Sequence, residues 1–164
     1  MKNQTKKKIK VLRTDNSEEF CSKEFEELCK KCGIAWQKTT PYTPQQNGVA
    51  ERMNKTLMER ARSMLSGAGL GQEFWAEAME TACYLVNKSP SSTLEDKTPQ
   101  EVWIGKKPSP SHLRIFGCDA YIHAPKEKRS KLDSKFDKCI FIRYKDGLKG
   151  YNLWNPVTRK VMYS

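Results

Sequence analysis

Two short β-rich runs with a helix-length segment between them constrain this chain more than any other feature. Ile9-Lys-Val-Leu-Arg13 ends at Thr14-Asp15-Asn16, and Ile34-Ala-Trp-Gln-Lys38 begins directly after Gly33. Between them Ser22 is a fitting N-cap, and Phe25, Leu28, Cys29 and Cys32 recur at helical spacing as an apolar face. Gly33 is the natural stop. Strand, helix and strand joined by short connections form a βαβ unit, which predicts parallel pairing and an α/β sheet. In such sheets functional groups gather beyond the C-terminal ends of the strands. Asp15 holds that position after the first run, and the Thr40–Gly48 loop holds it after the second.

That loop, Thr-Pro-Tyr-Thr-Pro-Gln-Gln-Asn-Gly, is kept out of any helix by its two prolines and closes on a turn pair, Asn47-Gly48. A long helical pattern follows from about Val49 to Ser66. Ala50, Met53, Leu57, Ala61 and Met64 recur at three and four as its expected buried stripe. Glu51 falls in the first turn, where free backbone N–H groups and the macrodipole favour a carboxylate. Glu51, Lys55, Met58 and Arg62 make a second stripe at the same spacing. An acid delivered by a stiff loop, with a lysine one turn later, suits a metal ion beside a phosphate. Dipole complementation and an ordinary i,i+4 pair explain the same two residues.

A second apolar helix is predicted over Gln72–Asn87, with Phe74, Trp75, Ala78, Ala82, Leu85 and Val86 on its buried face. After a loop at Ser89–Lys97, Thr98-Pro99-Gln100-Glu101 is a capping box that opens a short helix ending at Gly105. The period then changes. Ile115-Phe116 and Ala120–His123 read as strand, and a basic loop follows at Lys126–Lys135. Cys139–Tyr144, Tyr151–Trp154 and Lys160–Tyr163 are three further short strands, with Asp146-Gly147 and Asn155-Pro156 at the turns. This divides the chain into residues 1–105, an α/β core of a βαβ unit plus helices, and residues 106–164, a small antiparallel β appendage.

The formal charge of +11 is unevenly spread. Basic ends flank a near-neutral middle, a pattern that points to a polyanion held by the flanks, with nucleic acid the usual candidate. In the appendage Arg143, Tyr144, Lys145, Lys149, Tyr151, Trp154 and Arg159 interleave basic with aromatic residues, as a nucleic-acid surface does, although so small a sheet must spend about half of those rings on its own core. No apolar run approaches a membrane span, and Lys2–Lys10 is too charged to open a signal peptide, so an intracellular protein with reduced thiols is expected. Cys29-Lys-Lys-Cys32 has the spacing of half a zinc site without a second pair at a matching interval, which favours buried free thiols.

Around Asp15 and Glu51 the chain resembles the integrase of Ty1/copia-type LTR retrotransposons. Leu12-Arg-Thr-Asp-Asn16 with Glu19-Phe20 resembles the segment of the family's second aspartate. Pro41-Tyr-Thr-Pro-Gln-Gln-Asn-Gly-Val-Ala-Glu-Arg52 is similar to its glutamate segment almost letter for letter, and 35 residues separate Asp15 from Glu51, the family's interval. Phe74-Trp-Ala-Glu-Ala78, Thr98-Pro-Gln-Glu-Val-Trp103, Leu113-Arg-Ile-Phe-Gly-Cys118 and Lys149-Gly-Tyr151 resemble downstream segments of the same Pol polyprotein. The likeness runs from Lys7 to Ser164.

The resemblance implies an RNase H-like fold in which three carboxylates hold two Mg²⁺ (or Mn²⁺) ions for in-line displacement at a DNA phosphodiester. Asp15 would be the second metal-binding acid and Glu51 the third. Asn47 and Gly48 would shape the loop over the substrate, and Lys55 would meet a phosphate. Arg62, Arg143, Lys145 and Lys149 complete the expected DNA-contacting set. The family's first aspartate lies on a strand upstream of the second, and Met1–Thr14 contains no Asp or Glu. Ser17-Glu18 stand where the family has glycines. The expectation is therefore a truncated integrase core, catalytically incomplete by itself, retaining nucleic-acid binding in the nucleus. A strand with an unpaired apolar edge at Ile9–Arg13 would leave it marginally stable and inclined to self-associate. The alternative is a domesticated, non-enzymatic DNA-binding or protein-interaction module.

Overall fold

The computed structural model describes residues 8–14, 22–39, 48–125, 127, 129–145 and 150–164. They belong to two compact units, Met1–Thr56 and Leu57–Ser164.

In the first unit β1 (Val11–Thr14) and β2 (Ala35–Lys38) pair in parallel, Val11 opposite Ala35 and Thr14 opposite Lys38. The crossover is α1 (Lys23–Cys32). It starts where Ser22 Oγ accepts from the Phe25 N–H at 3.2 Å, and Glu24 and Glu26 complement its positive end. It stops at Gly33, whose φ of 67° lets the cap N–H reach back to the Lys30 carbonyl. The expected apolar face is only partly used. Cys29 is buried and Phe25 meets Trp36 edge to face at 5.2 Å, but Leu28 and Cys32 are exposed. Two strands are too narrow to cover a whole helix face.

α2 (Gly48–Ala68) begins in the first unit and ends in the second. Its expected stripe also needs correction. Ala50 and Met53 are exposed, and burial starts at Leu57 and is complete at Ala61 and Leu65. The side chains that bury Ala61 and Leu65 are Phe74, Ala78, Phe116 and Ile142, which all pack around the C-terminal half of the helix.

α3 (Trp75–Lys88) follows a single 3₁₀ turn at Gln72–Phe74, and α4 (Pro99–Ile104) opens on Thr98, whose Oγ1 accepts from the Glu101 N–H at 3.0 Å. β3 (Asp119–His123), β4 (Phe136–Tyr144), β5 (Tyr151–Asn155) and β6 (Lys160–Tyr163) form an antiparallel meander in that order. From Cys139 onward β4 is covered on both faces. Ile140 and Ile142 face the helices, while Cys139, Phe141 and Tyr144 join Leu153 in a second cluster. The β4–β5 register shifts between Phe141 and Arg143, and the Ile142 carbonyl at that bulge accepts from the buried Thr81 hydroxyl at 3.2 Å. Because α3 lies on β4 in this way, the compositional divide at Gly105 is not a packing boundary.

Ile115-Phe116 is not strand. The Cys118 N–H donates to the Ile115 carbonyl at 3.0 Å, Ile115 is exposed, and Phe116 turns into the helix-facing core. Gly117 follows with φ 82°. β4 starts at Phe136, three residues earlier than its apolar run, because His123 pairs with Phe136 and carries the ladder into the polar segment. At the far turn Asn155 Oδ1 accepts from the Val157 and Thr158 N–H groups at 2.9 and 3.0 Å. Among the described residues no helix is long and apolar enough to cross a membrane.

Candidate functional site

The parallel pair ends in register, so the chain leaves β1 and β2 at the same edge. That edge is tied down: Trp36 Nε1 donates to Thr14 Oγ1 at 2.9 Å, the Thr39 N–H to the Thr14 carbonyl at 3.0 Å, and Lys38 Nζ lies 4.2 Å from the Trp36 ring centroid. Arg13 adds a cross-strand bond to Gln37 at 3.2 Å. Asp15 and the loop from Thr40 to Asn47 lie outside the described residues. Gly48 opens α2, Glu51 is exposed in its first turn, and Lys55 is exposed one turn further on. Among the described residues no three His, Cys, Asp or Glu side chains group as metal ligands. Glu51 is the one member of the expected acid set whose position is described.

The other expected contact residues fall in the second unit. Arg62 is exposed on α2. Arg143 is engaged internally, paired with Glu80, and the buried Asn152 amide oxygen, suitably turned, accepts from its guanidinium at 2.9 and 3.0 Å. Lys145 is half-buried, its Nζ 4.7 Å from the Tyr163 ring centroid. Lys149 lies outside the described residues.

The rings expected to interleave with these charges are mostly core. Tyr144 is buried, stacks on Tyr84 at 4.1 Å, donates to the Arg114 carbonyl and accepts from the Arg114 N–H, both at 2.8 Å. Burial pushes its phenol above the ordinary value. Tyr151 donates to the His112 carbonyl at 2.8 Å, and Trp154 packs edge to face on Phe74 at 4.8 Å. A cleft of about 560 Å³ opens beside Tyr84, His112, Tyr144 and Lys145, with Tyr84 and His112 joined at 2.6 Å.

Tyr163 is exposed beside Lys145, and two further exposed rings lie on β3 and β4. Tyr121 is 63% and Phe136 51% exposed, with His123 and Lys138 exposed beside them. The period-two pattern of Asp119–His123 held this information, since residues 119, 121 and 123 must share a face.

In the first unit parallel strands are joined by a crossover helix and the next helix carries an acid in its first turn, which is an α/β arrangement; the second unit is an antiparallel sheet packed by helices. The retroviral polymerase SH3-like domain model matches residues 118–164, and the TnsB C-terminal domain model matches residues 4–67. The chain is 55% identical over 161 residues to the retrovirus-related Pol polyprotein from transposon TNT 1-94 of Nicotiana tabacum, covering 98% of this chain and 12% of that one. It is 31% identical over 144 residues to the Pol polyprotein from transposon RE1 of Arabidopsis thaliana, covering 88% of this chain and 10% of that one. The crystal structure of the catalytic core domain of BIV integrase aligns with a TM-score of 0.45 at 29% identity, covering 58% of this chain and 60% of that one. The chain belongs to the retrovirus-related Pol polyproteins of copia-type transposons. It spans about a tenth of the length of the two polyproteins.

Proposed function

We propose that this segment handles DNA in the integration reaction, binding it by charge, and that the 164 residues alone do not perform strand transfer. The observation that carries this is the 55% identity to a Pol polyprotein across nearly the whole chain. The charge supports it: Lys106, Lys107, Lys131, Lys135, Arg159 and Lys160 are all exposed on the second unit. Phosphate contacts of that kind fix a protein on DNA without reading its sequence.

Asp15 and Glu51 are proposed as two of the acids that would hold Mg²⁺ or Mn²⁺, with Asn47, Gly48 and Lys55 against the substrate. Asp15 and Glu51 are two carboxylates where the resemblance implies three, and two do not by themselves fit a pair of divalent ions. The role given to this segment is therefore to hold DNA by charge. DNA as substrate makes the nucleus the compartment, and the outer edges of the β1–β2 pair make self-association an expected side reaction.

The test is duplex affinity by fluorescence anisotropy across a salt series. Neutralising a phosphate adds about 0.9 to the slope of log K against log salt, so replacing Lys131, Lys135 and Lys160 with glutamine is expected to flatten it by about 2 to 3. Affinity indifferent to salt and to these changes refutes the reading.

A further inference from the structure

We infer that the outer corner of the β3–β4 sheet is a stacking platform for unpaired bases of a nucleic-acid strand; this rests on the DNA-handling reading above. Register fixes the geometry. Tyr121 pairs with Lys138 and His123 with Phe136, so these four side chains share one face, with Tyr121 and Phe136 on the diagonal. The same face carries Ile140 and Trp154 further along, where α2 and α3 bury it. At the corner the helical cover stops, leaving Tyr121 63% and Phe136 51% exposed.

Water-exposed rings on a sheet face need a reason, because the same sheet buries Phe141, Tyr144 and Leu153 on its other side. The His123 and Phe136 rings meet edge to face at 5.6 Å, so neither is capped by a parallel ring. The charge surrounding them selects the occupant. Lys138 stands directly across from Tyr121, its ion pair with Asp119 at 2.8 Å solvent-exposed and therefore weak. Lys135 is exposed at the start of β4, where its carbonyl accepts from the Ala124 N–H. Flat rings with cations at their margins fit bases whose phosphates run alongside. A paired duplex keeps its base faces covered and cannot use the rings, which makes the platform selective for unpaired strand.

The experiment is anisotropy titration of the full chain with fluorescent oligothymidylate and oligouridylate about ten nucleotides long, and with a duplex of the same length. Tyr121→Ala/Phe136→Ala is expected to weaken single-strand binding about tenfold or more while duplex affinity stays within about twofold. Tyr121→Leu/Phe136→Leu keeps apolar area without a π face and guards against a folding defect. It is expected to lose single-strand affinity with an unchanged far-UV spectrum. Selective loss on either oligonucleotide supports the platform, and the stronger response says whether deoxyribose or ribose strands are preferred. Unchanged single-strand affinity in both variants, or full retention in the leucine variant, overturns the platform while leaving the DNA-handling reading intact. Absence of binding to the duplex and to both oligonucleotides by the unmodified chain overturns that reading and the platform with it.

Discussion

Gly117→Ala tests the packing of the second unit where the chain before β3 meets the end of α2. Gly117 has φ 82°, and a Cβ there would sit 2.2 Å from the Ala68 Cβ and 3.0 Å from its Cα at the end of α2. The left-handed backbone costs a non-glycine residue about 1–2 kcal/mol, and forcing a methyl group into occupied space adds about 1–3 kcal/mol. Gly105 supplies the control, with φ 80° and nothing within 4 Å of an added Cβ. Gly105→Ala therefore carries the backbone cost alone. In urea denaturation followed by tryptophan fluorescence, Gly117→Ala should cost about 2–5 kcal/mol against about 1–2 for Gly105→Ala. Adding Ala68→Gly should return about 1–3 kcal/mol in the Gly117→Ala background, less the roughly 0.5–1 kcal/mol that glycine costs a helix. Equal losses at the two glycines, with no rescue, would refute a sheet seated directly on the end of α2.

Two further outcomes follow from burial. Tyr144 keeps its proton to higher pH folded than unfolded, so that stabilisation is complete below pH about 10 and is lost as pH rises through the folded value. Tyr144→Phe should cost about 1–3 kcal/mol at neutral pH by stripping Arg114 of its partner, and the gap to wild type should close above pH 10; a gap constant with pH contradicts this. In native-state hydrogen exchange, amides of the two-stranded β1–β2 pair should exchange at least about 100-fold faster than the Phe141 amide at the centre of the second unit. Equal protection would show the first unit to be as stable as the second.

Local chemistry made much of the fold legible. Ser22, Gly33, Thr98 and Gly105 mark helix ends through caps that involve neighbours only, and each acts as its residue type requires. Parallel pairing of β1 with β2 followed from connection length. What depended on distant partners was harder to read. Nothing local says that the apolar stripe of α2 loses its cover before Met53, or that Thr81 should be buried to serve a bulge carbonyl in β4. The same holds for the rings: Tyr144 and Tyr121 are equally tyrosine in sequence, and distant partners such as Tyr84, Arg114 and Leu153 separate core from surface. At the site, Glu51 and Lys55 fall on the expected exposed turns, whereas Arg143 is taken up by Glu80 and Asn152.

A strand-transfer gel bears most directly on the claim that this chain holds DNA without joining it. Labelled duplex ends are mixed with target DNA in Mg²⁺ or Mn²⁺, at a protein concentration that saturates binding. The account predicts bound DNA and no joined product. Joined product that disappears with Asp15→Asn or Glu51→Gln would contradict it.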